Sequence, residues 1–394
     1  MRRRLLVAAL ASALTIAAAC SDGGGGSVDA RGADSTTSTS EAPTSSTSEA
    51  SSTTSTTGEV TSTSTTTTTT EPPPAGPTSI VQLGDSIASG EGTLYGYTYD
   101  QDSMEWVGGD INAKWPGPYP LCHDSPDAYG NLIAQHFGPD TKFTQLACTG
   151  ATFAHGITTP ELDDGQQMSP AQFGNWDTKT DLNARYDEAD PDLVLITLGA
   201  DDVQFVDIVE KCIENGYEYY FDLADLECTA KNPGSTIQKD FFDFLPTLTK
   251  NYQTLITWIR ERAQANDRPV PKIVFTNYAN PLPPNGAKCP DTSWLYPRQT
   301  RYLATLVTKM NQTIQSAMPD GSSTVALADI SDAYTPQGSS HIWCTDDPWA
   351  YGLSIYHITD PESFKSQAPF HPTPDGQESI AEHVIPTVRQ LFAE

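Results

Sequence analysis

The sequence predicts an α/β protein built on one central, mostly parallel five-stranded sheet. Three observations carry this reading. Five short apolar runs recur along residues 78–394, longer stretches with helical periodicity separate them, and no internal repeat breaks the alternation. Strands joined through helices lie parallel in one sheet, and the helices cover both of its faces.

The first run, Ile80 to Leu83, leads directly into Gly84-Asp85-Ser86. A helix is expected near Asp127 to Phe137, before the second run, Phe143 to Ala147. The third run, Leu193 to Leu198, precedes a helix near Asp202 to Cys212. From Lys239 to Gln264, the residues Phe242, Leu245, Leu248, Tyr252, Leu255 and Ile259 recur at three- and four-residue steps, as one amphipathic helix requires. These are core residues. The fourth run, Ile273 to Thr276, the helix from Arg298 to Met318, the fifth run, Val325 to Ala328, and a final helix from Asp375 to Phe392 complete the pattern. Two irregular segments, Glu214 to Ser235 and Pro281 to Tyr296, each contain cysteine and read as braced loops at the functional edge. Their aromatics, Tyr217, Tyr219, Tyr220, Phe221, Trp294 and Tyr296, are expected to pack those loops, and lining an acyl or sugar pocket is the second reading.

Ahead of this body the chain has two other characters. Met1 is followed by Arg2, Arg3 and Arg4 and then by an uncharged apolar run from Leu5 to Ala19, the order of a secretion signal. Ala17, Ala18 and Ala19 before Cys20 resemble a bacterial lipobox, so residues 1–20 read as a lipoprotein-type signal with Cys20 as the lipidated residue. Simple signal cleavage, or an uncleaved anchor, is the alternative. Residues 21–77 are a stalk: from Ser35 to Thr70 the composition is almost wholly Ser and Thr, and Pro72, Pro73 and Pro74 follow. Such a stretch cannot bury a core. The globular domain is then 78–394. The expected location is the outer face of the cell membrane, held through the Cys20 anchor alone, or free outside the cell.

Charge narrows the partners. The chain carries 22 basic and 50 acidic residues, a formal −28. Removing the signal takes three arginines and no acids, leaving 19 against 50, or −31. A field of that sign repels nucleic acid and anionic membrane surfaces. A long flexible stalk makes an obligate partner unnecessary, so a monomer is expected.

After Cys20, six cysteines remain: Cys122, Cys148, Cys212, Cys228, Cys289 and Cys344. Outside the cell they oxidise. Loop-closure entropy favours pairing neighbours, Cys122 with Cys148, Cys212 with Cys228 and Cys289 with Cys344, among the 15 pairings that six cysteines allow. A metal site is disfavoured, because no pair has CxxC spacing and no histidine stands at ligand distance from a cysteine cluster.

The chemistry starts at Ser86. A glycine before a serine at a strand's carboxyl end permits a tight turn that lifts the hydroxyl into the crevice where open α/β sheets place ligands. On its own, Gly84-Asp85-Ser86 reads equally as an ordinary turn with Ser86 as a helix cap. Three further segments change the balance. Cys148-Thr149-Gly150-Ala151-Thr152 follows the second run, Gly199-Ala200-Asp201-Asp202 follows the third, and Phe370-His371-Pro372 precedes the last helix.

With the run Gly84-Asp85-Ser86-Ile87-Ala88-Ser89-Gly90-Glu91-Gly92, these segments fall in the order of the SGNH/GDSL hydrolase family, which residues 78–394 resemble over nearly their whole length. The stretches Cys122 to Ala134 and Ala147 to Ile157 are most similar to its actinobacterial extracellular esterase/lipase branch. The resemblance implies a three-layer α/β/α sandwich with a flavodoxin-like strand order, and no metal or organic cofactor. It assigns Ser86 as nucleophile, His371 as general base, and the backbone N–H groups of Ser86 and Gly150 as oxyanion donors. His383 competes only if the last block is misaligned.

Two positions depart from the family pattern. The acid usually found three residues before the histidine is Ala368 here, which implies a Ser-His dyad with the Ala368 carbonyl as orienter. Where the family has an asparagine donor, this chain has Asp201, and an aspartate donates only when protonated. The expected function is hydrolysis of small-molecule or lipid esters through an acyl-enzyme. Deacetylation of a polysaccharide, or a silent binding module on a stalk, are the alternatives.

Overall fold

In the computed structural model of the protein, the described residues are 76–393 apart from 103–104, 110–113, 164–165, 170, 174–180, 222–223, 230, 232–236, 287–294 and 353–369. The signal, Cys20 and nearly all of the stalk, together with Cys289, Trp294 and Ala368, therefore lie outside them.

The strands, in chain order, are β1 (Ser79–Gly84), β2 (Tyr97–Asp100), β3 (Glu105–Gly108), β4 (Lys142–Gln145), β5 (Glu161–Asp163), β6 (Gln166–Ser169), β7 (Leu193–Thr197), β8 (Lys272–Thr276) and β9 (Val325–Ala328). Five of them form one sheet in the order β4-β1-β7-β8-β9, and every pairing is parallel. Counted along the chain that order is 2-1-3-4-5, the flavodoxin-like arrangement.

Successive side chains leave a strand on opposite faces, and the two cores divide accordingly. Val81, Leu83, Val194, Ile196, Ile273 and Phe275 join one buried cluster with Ile208, Leu255 and Leu303 from helices on that side. Ile80, Leu193, Leu195 and Val274 join the other, with Ile133, Ile380 and Val384. Each such aliphatic side chain, fully buried, contributes about 1.5–3 kcal/mol. The sheet is thus the middle of three layers.

The helices are α1 (Ser86–Ser89), α2 (Tyr129–Phe137), α3 (Asp181–Ala189), α4 (Phe205–Tyr220), α5 (Lys239–Phe244), α6 (Thr247–Ala265), α7 (Pro297–Ala317) and α8 (Pro374–Ala393). The helical pattern departs from expectation in three places. The single amphipathic helix expected from Lys239 to Gln264 is two, because Pro246 has no N–H for the helical ladder and stands between α5 and α6. Helix α4 runs two turns past Cys212, so much of the segment expected to be an irregular loop after Glu214 is helical. Its buried stripe of Ile208, Val209, Cys212, Ile213 and Gly216 continues past that point. Helix α3 and the two antiparallel hairpins, β2-β3 and β5-β6, have no counterpart in the sequence reading.

Two disulfides are described, Cys122–Cys148 and Cys212–Cys228. Cys344 is also disulfide-bonded. The first bridge fastens the short 3-10 turn Pro120–Cys122 to the loop that follows β4. The second ties α4 to the segment after it. No described helix is long and apolar enough to cross a membrane, and no described cluster of His, Cys, Asp and Glu could hold a metal ion.

Candidate active site

The site forms where β1 ends. Gly84 has φ +135°, and a Cβ there would lie 1.9 Å from the Thr197 carbonyl oxygen, so no side chain fits between β1 and β7 at this point. The buried amide of Gln172 fixes the same residue from the side, accepting from Gly84 N–H at 2.8 Å and donating to its carbonyl at 2.8 Å. Asp85 N–H then donates to Thr197 O at 2.9 Å, and the chain turns into α1. Asp85 caps that helix by accepting from Ile87 N–H at 3.0 Å. Ser86 is its first residue and stands half-buried just beyond the carboxyl end of β1.

His371 meets it there. Its Nε2 lies 2.7 Å from Ser86 Oγ, although 285 positions separate the two in sequence. The imidazole's backbone is held by Tyr351, whose N–H donates to His371 O at 3.0 Å and whose carbonyl accepts from Phe370 N–H at 2.8 Å. Phe370 adopts a left-handed φ of 68° to make this turn. Gln377, fully buried in the first turn of α8, donates to Ile87 O at 3.0 Å and accepts from Tyr129 N–H at 2.9 Å, and so joins the histidine block to the serine's helix. His371 Nδ1 is buried and has no partner among the described residues, and Ala368, the expected orienter, lies outside them. His383 is held elsewhere on α8, with Nδ1 at 2.7 Å from Ser379 O and Nε2 at 3.6 Å from Asp332.

Gly150 lies exposed in the loop after β4 with φ +76°. That loop is anchored on both sides: Cys148 N–H donates to Gly84 O at 3.0 Å, and Thr149 N–H to Cys122 O at 3.2 Å. The segment after β7 is anchored likewise. Asp202 accepts from Phe153 N–H at 3.1 Å and from Asn251 at 3.3 Å, and Ala200 N–H donates to the Tyr278 hydroxyl at 2.9 Å. Asp201 between them is half-buried, and its carbonyl accepts from Gln204 N–H at 3.0 Å. Four segments distant in sequence therefore converge on the carboxyl edge of β1 and β7.

Acid groups crowd this edge. The Tyr278 hydroxyl donates to Asp85, and burial pushes the Asp85 carboxyl up to about 7 against that bond and those from the α1 backbone, with nearby Asp202 adding to the rise. Burial also lifts Asp202 to about 6 despite its donors. Glu91 behaves differently. It is fully buried and accepts from the Tyr95 hydroxyl at 3.0 Å, from His123 Nδ1 at 2.9 Å and from the Thr149 hydroxyl. Burial alone would raise it, but the charge of His371 and the His123 and Thr149 donors outweigh that and hold it below the ordinary carboxylate value.

The residues that sequence reasoning did not single out are Gln172, Tyr278, Gln377 and Glu91. Only Glu91 had a signal, as an acid between two glycines five residues beyond the serine. Of the aromatic residues of the second reading, Trp294 lies outside the described residues and the other five are at least partly exposed, with Tyr219 packed edge-on against Tyr296 at 5.2 Å and Tyr217 against Phe221 at 4.8 Å.

A strand-turn-helix serine, a histidine nitrogen at hydrogen-bond distance and two glycine-bearing loops beside them are the parts of a serine hydrolase. The profile of the GDSL-like lipase/acylhydrolase family matches residues 83–378, and the chain belongs to that family. It is a hydrolase acting on ester bonds. Among solved structures it is similar to an extracellular lipase from Streptomyces rimosus, with 19% identity, 79% of this chain and 98% of that one covered, and a TM-score of 0.45. It is also similar to phospholipase A1 from Streptomyces albidoflavus, with 19% identity, 80% and 99% coverage and a TM-score of 0.42. An acetylxylan esterase from Geobacillus stearothermophilus has 14% identity, 80% and 96% coverage and a TM-score of 0.31. Likenesses at this level say nothing of substrate. Comparison by sequence with curated proteins found no match.

Proposed function

We propose that the protein is a secreted, lipid-anchored esterase or lipase that works through an acyl-enzyme on Ser86 with His371 as general base. The observation that carries this is the 2.7 Å approach of His371 Nε2 to Ser86 Oγ. At that distance the neutral imidazole takes the hydroxyl proton as Oγ attacks the ester carbonyl. The carbonyl π bond opens and its electron pair resides on oxygen. Collapse of this intermediate re-forms the carbonyl and breaks the bond to the alcohol, which leaves with the proton from Nε2. Water repeats the sequence on the acyl-serine and releases the carboxylic acid.

The oxyanion is assigned to the N–H groups of Ser86 and Gly150 and to the side chain of Asp201 in its protonated form. Burial raises the neighbouring carboxyls of Asp85 and Asp202, and where substrate shields the half-buried Asp201 side chain the same cause would favour its neutral form. The Ala368 carbonyl is retained as the orienter of His371. A membrane connection through Cys20, a monomeric state and a small-molecule or lipid ester as the partner complete the proposal, with polysaccharide deacetylation as the alternative on the same dyad.

Labelling by a fluorophosphonate probe tests the nucleophile. Ser86→Ala should abolish labelling and p-nitrophenyl ester turnover, and His371→Ala should reduce turnover by about 10³-fold or more with the fold intact. Retained turnover in the folded His371→Ala protein would reassign the base. An ester panel set against acetylated sugars then separates the two substrate classes.

A further inference from the structure

An acyl transfer of this kind passes through a positively charged imidazole, and the histidine block here carries an alanine where an acid would face it. The charge has another source within reach. Glu91 follows Ser86 by one turn, with its N–H donating to Ser86 O at 3.1 Å. The next residue, Gly92, has φ +100° and lies directly under the base: a Cβ there would be 2.5 Å from the Pro372 carbonyl oxygen and 3.2 Å from His371 Cβ. The turn that presents the nucleophile and the turn that presents the base are therefore packed backbone to backbone at Gly92, the residue next to the buried Glu91.

We infer that Glu91 is a positioning residue for the base, supplying from the nucleophile's own turn the negative charge that the histidine block lacks at position 368. Three donors favour the ionised form of that carboxylate: Tyr95 from the same turn, Thr149 from the oxyanion-side loop, and His123, whose ring is stacked on Trp115 at 4.7 Å. A buried charge supported in this way acts through a low-dielectric interior and is little screened by salt. The other two buried acids near the nucleophile, Asp85 and Asp202, are pushed toward neutrality by burial, which leaves Glu91 as the ionised one of the three. The titratable groups that face it are Tyr95 and His123 by hydrogen bond and His371 through its charge. Asp375, in the first turn of α8, is the acid that follows the histidine block in sequence.

The inference rests on His371 being the base, and the His371→Ala assay decides that point separately. In Glu91→Gln the side-chain shape is kept and the charge removed. We expect kcat to fall by about 10- to 100-fold and the acid limb of the kcat/KM profile to move toward lower pH by about half a unit or more, because the imidazolium loses its counter-charge. Glu91→Asp, which keeps the charge, should retain the limb near its original position. A purely structural role would lower the unfolding midpoint of both variants and leave the limb in place. That outcome, in a folded Glu91→Gln protein with His371→Ala inactive, overturns the inference. Should Glu91→Gln fail to fold, the carboxyl-carbon resonance of Glu91 in the native chain decides: ionisation complete before activity rises supports the role, and a neutral carboxyl across that range refutes it.

Discussion

Replacing Asp85 with asparagine tests the electrostatics of the nucleophile turn more sharply than removing the nucleophile. In the folded protein Asp85 keeps its proton up to about pH 7, because burial penalises its charge, whereas a free carboxyl of this type loses it near 3.8. Between those values the folded state binds more protons than the unfolded state, so stability falls as pH rises through that window and is level above it. At 1.36 kcal/mol per pH unit, the full difference is about 4 kcal/mol. The Asp85→Asn side chain could not ionise and would not show this loss. It would still cap α1 toward Ile87, since asparagine is among the best N-caps, while its amide would face the Tyr278 hydroxyl in place of an acceptor oxygen. Urea unfolding of both proteins across pH 4 to 9 separates the two effects. The exchange of bonding partners gives an offset already present at pH 4, and the charge gives a difference that grows in the variant's favour up to about pH 7 and then stays constant. Parallel curves over the whole range would refute the reasoning and mean that Asp85 is ionised in the folded state at little cost.

Two other substitutions bear on the same edge. If Asp201 is the third oxyanion donor, as proposed, Asp201→Asn should raise kcat/KM above pH 7 by about 10-fold and extend the alkaline limb of the ester assay; unchanged or lower activity at every pH would make Asp201 a structural group. Gly84→Ala should fail to fold or lose several kcal/mol in denaturant unfolding, because its Cβ would strike the Thr197 carbonyl and the backbone sits at a φ that L residues rarely adopt.

The parts of this fold that were legible in the sequence are those fixed by local pattern. The strands from Leu193 and Val325 announce themselves by continuous apolar residues, and α8 begins within one residue of its expected start. The break between α5 and α6 could have been read from Pro246, but the unbroken spacing of Phe242, Leu245 and Leu248 across it masked the signal. Helix α3 and the β2-β3 hairpin were not legible for a different reason. Asp181–Ala189 carries charge on most of its turns, and Tyr97, Tyr99 and Trp106 find their partners in Tyr351 and one another, a grouping that no local periodicity encodes. The same division runs through the site. Ser86, Gly150 and His371 stand in ordered motifs, whereas Gln172, Tyr278 and Gln377 act through contacts spanning 88, 193 and 290 positions respectively.

The separation of Ser86 and His371 along the chain has a consequence for when activity can appear. The serine, its turn and the loop bearing Gly150 lie in the first half of the domain, while the histidine precedes α8, the last element of the sheet's second face. Until α8 packs against α2 and Gln377 bridges to Ile87, His371 is not held beside Ser86. Contacts this long-range form late in folding, after the loops between them have been closed. On the proposed assignment of Ser86 and His371, a chain emerging amino terminus first from the ribosome would carry a complete serine turn before its base is in place. Hydrolysis would then begin only when the final helix docks, which would make turnover itself a reporter that the whole domain has been assembled.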